Sequence, residues 1–503
     1  MSRSFESLRE WAIDRATDWA LEPDGTDRLA IGDLQPAWPL RIEVFGLVMP
    51  IAAAAAGRAS DLQGTGLKAT LKQRGADRAI RLIGLAGLAR LRAPAPVTER
   101  PVAFLSELAT PSSMEPMLAV AAALPPDSFR AVSADPRASR AWRAAGADPV
   151  PLIGDWRAAV RARGRAVPVA RRRWAGLLER PPRFDLGDAD LAAAVLPRLE
   201  PLVRRSVPWL AVERDGLARR LDVLRPRWLV LASDQHRLGR LAVGLARERG
   251  IRTIVLQHGL PQYRLGFLPV AADEVATWSA ASDGWFVAGG APPERLVRLG
   301  NPRLDQLGRA DRAATGAEVA QERRADGHPR LLLTLSPNDL ERNLALLDLA
   351  LAWLAAEPDG NLIVKLHPGD GRWDAVRARV GRDPASARVS LARLEPLYPL
   401  LHWADLVLLH RSTVAVEALA AGTPVAVGAV GGASEDESLP TDLDLPEVDD
   451  VSGLRELARE VADPTGRRRF LDERRAAVER TTGPLDGHVA DRIAEHLLRS
   501  VAP

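Results

Sequence analysis

The chain has 503 residues, 47% of them hydrophobic and 26% charged. That is the composition of a soluble globular protein with too much chain for one ordinary core, so two domains plus an extension are expected. It contains no cysteine, which removes disulfides, thiolate metal sites and cysteine nucleophiles together. The 68 Lys and Arg residues, nearly all arginine, almost balance 65 Asp and Glu for a net charge of +3, a spread that argues against nucleic acid as a partner.

The first nineteen residues, MSRSFESLREWAIDRATDW, are charged and amphipathic and do not read as a signal peptide. The longest apolar run, residues 44–57, is too short and too alanine-rich to span a bilayer. Residues 78–93 (RAIRLIGLAGLARLRA) set Arg78, Arg81, Arg90 and Arg92 against an apolar stripe. They read either as a helix lying on an anionic membrane surface or as a core-facing helix with solvated arginines. Residues 1–97 are expected to form a mostly helical extension ending in a Pro-rich boundary. The expected location is the cytoplasm, with a peripheral contact at the inner face of the membrane through residues 78–93.

From residue 98 the rhythm changes. Apolar strands are expected at 102–105, 129–134, 150–153, 228–233, 252–257, 274–279 and 295–300, with helical stretches between them. Residues 155–225 read as a helical insertion. Strand–helix–strand alternation implies a parallel sheet with crossover helices. The N-terminal Rossmann-like domain is therefore set at 98–308. A polar, Arg/Ala/Gly-rich stretch to His328 reads as a linker, and a second α/β domain follows at 329–465, with strands at 330–336, 361–368, 387–391, 405–410 and 424–429. Residues 466–503 are expected to form a C-terminal helix crossing back to the first domain.

Ligands of open α/β sheets bind beyond the carboxyl ends of the strands. That rule selects His258, His367, Ser336, His410 to Thr413 and Asp234 to His236; Glu107, after the first strand, reads as an acceptor or hinge residue. Ser412 and Thr413 stand where a strand turns into a helix, so backbone N–H groups and hydroxyls could meet a phosphate; Ser412 also reads as a plain N-cap. Glu417 lies one turn later on the same helix face and could accept from sugar or ribose hydroxyls. His367, in KLHPGD, follows a strand with Lys365 behind it and could donate to a diphosphate. His258, in LQHGLPQY, has the residue type and strand-end position of a general base. Asp234 could orient His258 or serve as an N-cap, His236 could meet an acceptor, and Asn301 in GNP marks a hinge turn or an acceptor contact. No HExxH and no clustered Asp-x-Asp is present, so no fixed metal or other cofactor is indicated, although a diphosphate could recruit Mg²⁺.

The succession QHG, GNPRLD, KLHP and a Ser/Thr–x3–Glu helix before a G-x-P strand resembles GT-B-fold transferases of bacterial surface polymers, namely CDP-glycerol glycerophosphotransferases, capsule Kdo transferases and bacterial sialyltransferases. The resemblance implies an α/β chain of two Rossmann-like domains facing a cleft. It implies that His367, Ser412 and Thr413 hold the phosphates of a nucleotide-activated sugar or polyol, that Glu417 holds the nucleotide or its ribose, and that His258 acts toward a hydroxyl of a glycan or lipid-linked acceptor; Lys365 and Ser336 are added to the donor side from their strand-end positions alone. Two departures accompany it. The first strand leads into SELATP rather than a Gly-rich loop, and LQHGLPQY lacks the lysine usual in the glycerophosphate transferases. The stretch SDQHRLGRLAVGLARERGIRTIVLQHGL followed by GNPRLD is also similar to non-hydrolysing UDP-GlcNAc 2-epimerases, without their His-x-Glu-Ala-Gly string. A catalytically inactive GT-B scaffold is the third reading.

Overall fold

The computed structural model describes residues 5–57, 101–261, 263–309, 311–336, 340–366, 373–393, 395–410, 412–431 and 443–499. The basic segment 78–93 and His367 lie outside these residues. The chain divides into two compact units, one comprising 1–277, 282–299 and 490–503, the other 278–281 and 300–489.

Short, mainly apolar runs form the strands of both units, because a strand covered by crossover helices on both faces must be largely hydrophobic on both. In the first unit these are β1 (Val102–Ser106), β2 (Phe129–Ser133) and β3 (Val150–Pro151). A small antiparallel hairpin follows, β4 (Asp185–Leu186) with β5 (Ala189–Asp190). Then come β6 (Trp228–Leu231), β7 (Arg252–Leu256), β8 (Glu274–Thr277) and β9 (Leu296–Arg298). Seven strands make one sheet in the order β3-β2-β1-β6-β7-β8-β9, every pair parallel.

The region read as a helical insertion holds two long helices, Trp156–Glu179 and Ala192–Leu224. The N-terminal helices Phe5–Asp18 and Arg41–Ala55 share a core with them through Leu8, Trp19, Val44, Val48, Trp174 and Val203. This explains the longest apolar run in the sequence: Val44, Val48, Met49, Ile51 and Ala52 are buried in that helical layer, each large side chain contributing about 1.5–3 kcal/mol. Among the described residues no helix is long and apolar enough to cross a membrane.

The second unit carries β10 (Arg330–Thr334), β11 (Asn361–Lys365), β12 (Val389–Ala392), β13 (Leu406–Leu409), β14 (Val425–Gly428) and β15 (Glu447–Val448). They form a parallel sheet in the order β12-β11-β10-β13-β14-β15.

Two expectations are corrected. The border between the units falls at Gly300, and the stretch read as a linker contains the helix Arg312–Arg323, capped by Asp311. Its polar composition misleads because Arg312 is a half-buried staple, donating to Ala421 O, Thr423 Oγ1 and Ala404 O at 2.8 Å each. The C-terminal segment is two helices, not one. Pro464–Thr482 ends at Gly483, whose φ of +79° and following proline stop it, and Val489–Arg499 begins anew. Residues 490–503 belong to the first unit, where His496 Nε2 meets Glu274 Oε2 at 2.6 Å.

Candidate functional site

A parallel sheet opens a crevice where two neighbouring strands send their connections in opposite directions. The strand orders place one such point between β1 and β6 in the first unit, and one between β10 and β13 in the second. Glu107, Asp234 and His236 follow β1 and β6, and Ser336, His410, Ser412 and Thr413 follow β10 and β13; His258 follows β7 and Lys365 ends β11.

At the first, a pocket is lined by Ser106, Glu107, Ser113, Ser233, His236 and Gly239, among others. The helix Arg237–Arg247 starts here with His236 at its N-cap position, making no capping bond from its ring. Glu107 fills the role instead: its Oε2 accepts from Leu238 N at 3.1 Å and Gly239 N at 3.2 Å, a carboxylate held at the positive end of the helix. Gly239 is needed for the close approach, since a Cβ there would stand 1.9 Å from Ser233 O.

Next to Glu107, Arg237 donates to Glu213 at 2.9 Å and lies 3.9 Å from Glu43. Burial, with Glu107 and Glu43 adding to it against the opposing Arg237, pushes the Glu213 carboxyl up to about 7. Burial raises Glu43 as well.

His258 follows β7. Its ring stacks on Phe267 at 4.7 Å, with the planes 5° apart, and its Nδ1 is buried without a hydrogen-bond partner among the described residues. Burial first, and the neighbouring His236 second, hold the imidazole down to about 4, so it is neutral at neutral pH. Gln257 braces the turn, donating to Gly259 O at 2.9 Å and Ser282 Oγ at 3.1 Å.

Asp234 is held by the chain around it. Its Oδ2 accepts from Ala271 N at 2.6 Å and Ala272 N at 2.9 Å, and its Oδ1 from Gln235 Nε2 at 2.7 Å. It is 3% exposed and anchors the loop before β8.

At the second point, Ser336 follows β10 and is held by Asn343, which accepts from Ser336 N at 3.1 Å and donates to Ser336 O at 2.7 Å. Ser412 and Thr413 follow β13 and precede the helix Val414–Ala420. The Thr413 hydroxyl makes no cap bond, while Ser412 Oγ accepts from Val414 N at 3.4 Å. Glu417 Oε1 accepts from Arg303 Nη1 at 2.9 Å, their side chains 20% and 12% exposed. Arg303 belongs to the GNPRLD motif and was not selected from the sequence. In that motif Asn301 Oδ1 caps Arg303 N at 3.1 Å and Asp305 Oδ1 accepts from Val489 N at 3.1 Å. Asn301 is thus a capping residue at the border of the units, and the motif's recurrence of polar side chains was the available signal for Arg303. His410 is buried and its Nε2 donates to Arg342 O at 3.0 Å.

Lys365 is likewise held by backbone. Its ammonium donates to Leu366 O at 3.2 Å and Arg393 O at 2.7 Å. Buried, with its pKa lowered by desolvation, it ties the carboxyl edge of the sheet together rather than standing free for a phosphate. Among the described residues no group of three or more His, Cys, Asp or Glu side chains could hold a metal ion.

No family model matches the chain, and no curated protein matches it in sequence. Solved structures do match in fold. MnaA of S. aureus in complex with UDP has a TM-score of 0.51 at 13% identity, covering 80% of this chain and 97% of that one. UDP-GlcNAc 2-epimerase of Neisseria meningitidis bound to UDP-GlcNAc has 0.53 at 13%, covering 79% and 99%. A further UDP-N-acetylglucosamine 2-epimerase has 0.52 at 14%, covering 80% and 97%. The chain shares with them the GT-B-like fold of two Rossmann-like sheets.

Proposed function

We propose that this chain is a GT-B-type, nucleotide-sugar-dependent transferase of cell-surface polysaccharide biosynthesis. It transfers a sugar, or a polyol phosphate, from its activated donor to a hydroxyl of a glycan or lipid-linked acceptor. It works in the cytoplasm or against the inner face of the membrane. The observation that supports this reading is the β10/β13 switch point: Ser336 follows β10, and Ser412, Thr413 and Glu417 follow its neighbour β13, the last held by Arg303.

In this reading the hydroxyls of Ser412 and Thr413 receive the donor phosphates, joined by His367, and Glu417, oriented by Arg303, accepts from a sugar or ribose hydroxyl. The acceptor hydroxyl oxygen attacks the activated carbon, or phosphorus for a polyol phosphate. The bond to the departing nucleotide breaks, the nucleotide keeps the electron pair, and the hydroxyl proton passes to neutral His258. The UDP and UDP-GlcNAc carried by the solved structures of similar fold make a uridine diphosphate the first donor nucleotide to test.

The second reading is a UDP-GlcNAc 2-epimerase-like reaction, favoured by the stretch running from Ser233 through His258 to GNPRLD. Calorimetric titration with CMP, CDP, UMP, UDP, GDP and ADP tests the common ground. One nucleotide is expected to bind, and a Ser412→Ala, Thr413→Val double variant to lose about tenfold or more in affinity. Release of nucleotide from its sugar only when a hydroxyl acceptor is added supports transfer; interconversion of the sugar without acceptor supports epimerisation. A folded protein that binds none of the six overturns both.

A further inference from the structure

The N-terminal segment builds a second place where a ligand could bind. Residues 21–39 and the outer face of the helix Arg237–Arg247 enclose a groove of about 590 Å³, which reaches Val270, Ala271 and Arg295 just before β8 and β9. Four arginines and three carboxylates, Asp27, Asp33 and Glu248, line it. Asp27 is taken up by Leu29 N at 2.8 Å and Ala37 N at 2.7 Å, and Glu248 lies 3.5 Å from Arg249. Arg214 is ion-paired with Asp33. The other three arginines bind only neutral partners among the described residues: Arg247 donates to Ala271 O at 3.2 Å, Arg295 to Val270 O at 3.1 Å, and Arg240 lies 4.4 Å over the Trp38 ring. A further guanidinium, Arg41, lies 4.6 Å over the same indole. Burial, and then the neighbouring Arg240, hold Arg41 down to about 10. The nearby carboxylate, Asp234, already accepts from two backbone N–H groups and Gln235. Arg240 Nη1 and Trp38 Nε1 are buried donors with no hydrogen-bond partner among the described residues. Like charges gathered around buried, unpartnered donors favour an anion.

We propose that this groove is a binding site for an acidic oligosaccharide, which presents its carboxylate, sulfate or phosphate groups to Arg240, Arg247 and Arg295. Arg240 and Arg247 stand seven residues apart on one helix, about 10 Å along its axis. That matches acidic groups on alternate sugars of a chain and exceeds the spacing of neighbouring phosphates in a nucleic-acid strand. Between them lies Gly244, exposed in the helix interior, where an added Cβ would meet nothing. Its missing side chain leaves the groove floor low enough for a sugar ring. Leu241, Val243 and Val270 lie along the groove but are largely buried in the core. The site stands independently of which reaction the switch points carry out.

The test is calorimetric titration of the full chain with a chondroitin sulfate hexasaccharide. The wild type is expected to bind, more weakly as salt is raised. An Arg240→Gln, Arg247→Gln, Arg295→Gln variant is expected to lose about tenfold or more. Gly244→Gln fills the open space without changing charge and is expected to lose as much, so it decides the matter if the triple variant fails to fold. A charge-matched control, Arg161→Gln, Arg163→Gln, Arg171→Gln on the exposed face of the helix Trp156–Glu179, should bind as the wild type does. The proposal is overturned if the hexasaccharide does not bind, if the groove variants bind it normally, or if an uncharged dextran hexasaccharide binds as tightly. It is equally overturned if only phosphatidylglycerol vesicles or oligothymidylate bind. Unchanged UDP affinity in Gly244→Gln separates this result from the fate of the proposed reaction.

Discussion

The two switch points occupy the same place in two similar sheets and are furnished in opposite ways. In the first unit the helix after β6 has its leading N–H groups already bound by the chain's own carboxylate, Glu107. A second carboxylate, Glu213, and an arginine lie behind it. An incoming phosphate would meet negative charge where the fold usually offers positive. In the second unit the equivalent turn carries Ser412 and Thr413, and its one carboxylate, Glu417, is turned onto Arg303. Under the proposed reading the difference gives phosphate to the second unit and leaves the first, with neutral His258 near its pocket, to a partner without phosphate. One fold position would then serve two chemistries, according to which side chain reaches the first turn of the helix.

The comparison breaks most visibly at His258. His258→Ala is expected to lower turnover by about 10²–10⁴-fold, the usual range for a general base, while nucleotide affinity measured by calorimetry stays unchanged. Because burial holds the imidazole near 4, its unprotonated form persists well below neutral pH. The kcat/KM profile should fall with an acid limb near pH 4, and a limb near 6.5 would show that His258 is not the group. At the second switch point, Arg303→Ala releases Glu417 and is expected to weaken nucleotide binding by about ten- to a hundredfold with His258 chemistry untouched, a split readable as altered affinity against preserved single-turnover rate.

Glu107→Ala sharpens the comparison from the other side. Removing a carboxylate from a helix start costs about 1 kcal/mol, seen as a lower Tm, and should make the first unit sensitive to phosphate: added inorganic phosphate should raise the variant's Tm more than the wild type's.

The smallest effect concerns Glu213, whose folded-state pKa of about 7 lies above its ordinary 4.5. The folded form therefore holds more protons between those values, and this contribution to stability is complete below pH 4.5 and lost as pH rises through 7. Glu213→Gln does not titrate, so its Tm relative to the wild type should improve between pH 5 and pH 8. A difference independent of pH would show that Glu213 ionises normally.

Much of the fold was legible because parallel strands covered on both faces must be apolar runs, and WLVL, LLLT and LVLL stand out from arginine-rich surroundings. The boundaries were less so. Arg312 reads as solvated until its carbonyl partners, about a hundred residues away, are known. The site was legible as residue types at strand ends but not as partnerships. Lys365 looks like a phosphate ligand until the carbonyls of Leu366 and Arg393 are found against it, and Asp234 looks catalytic until its loop closes on it. Arg303 and Glu417 are 114 residues apart, beyond any local pattern.

The most direct test of the division between the switch points is hydrogen–deuterium exchange with and without UDP. The account predicts slowed exchange at the turn and helix from Ser412 through Ala420 and around Ser336, with the Glu107-capped start of the helix Arg237–Arg247 unchanged. Protection confined to that helix start and to β1, with none at 412–420, would contradict it.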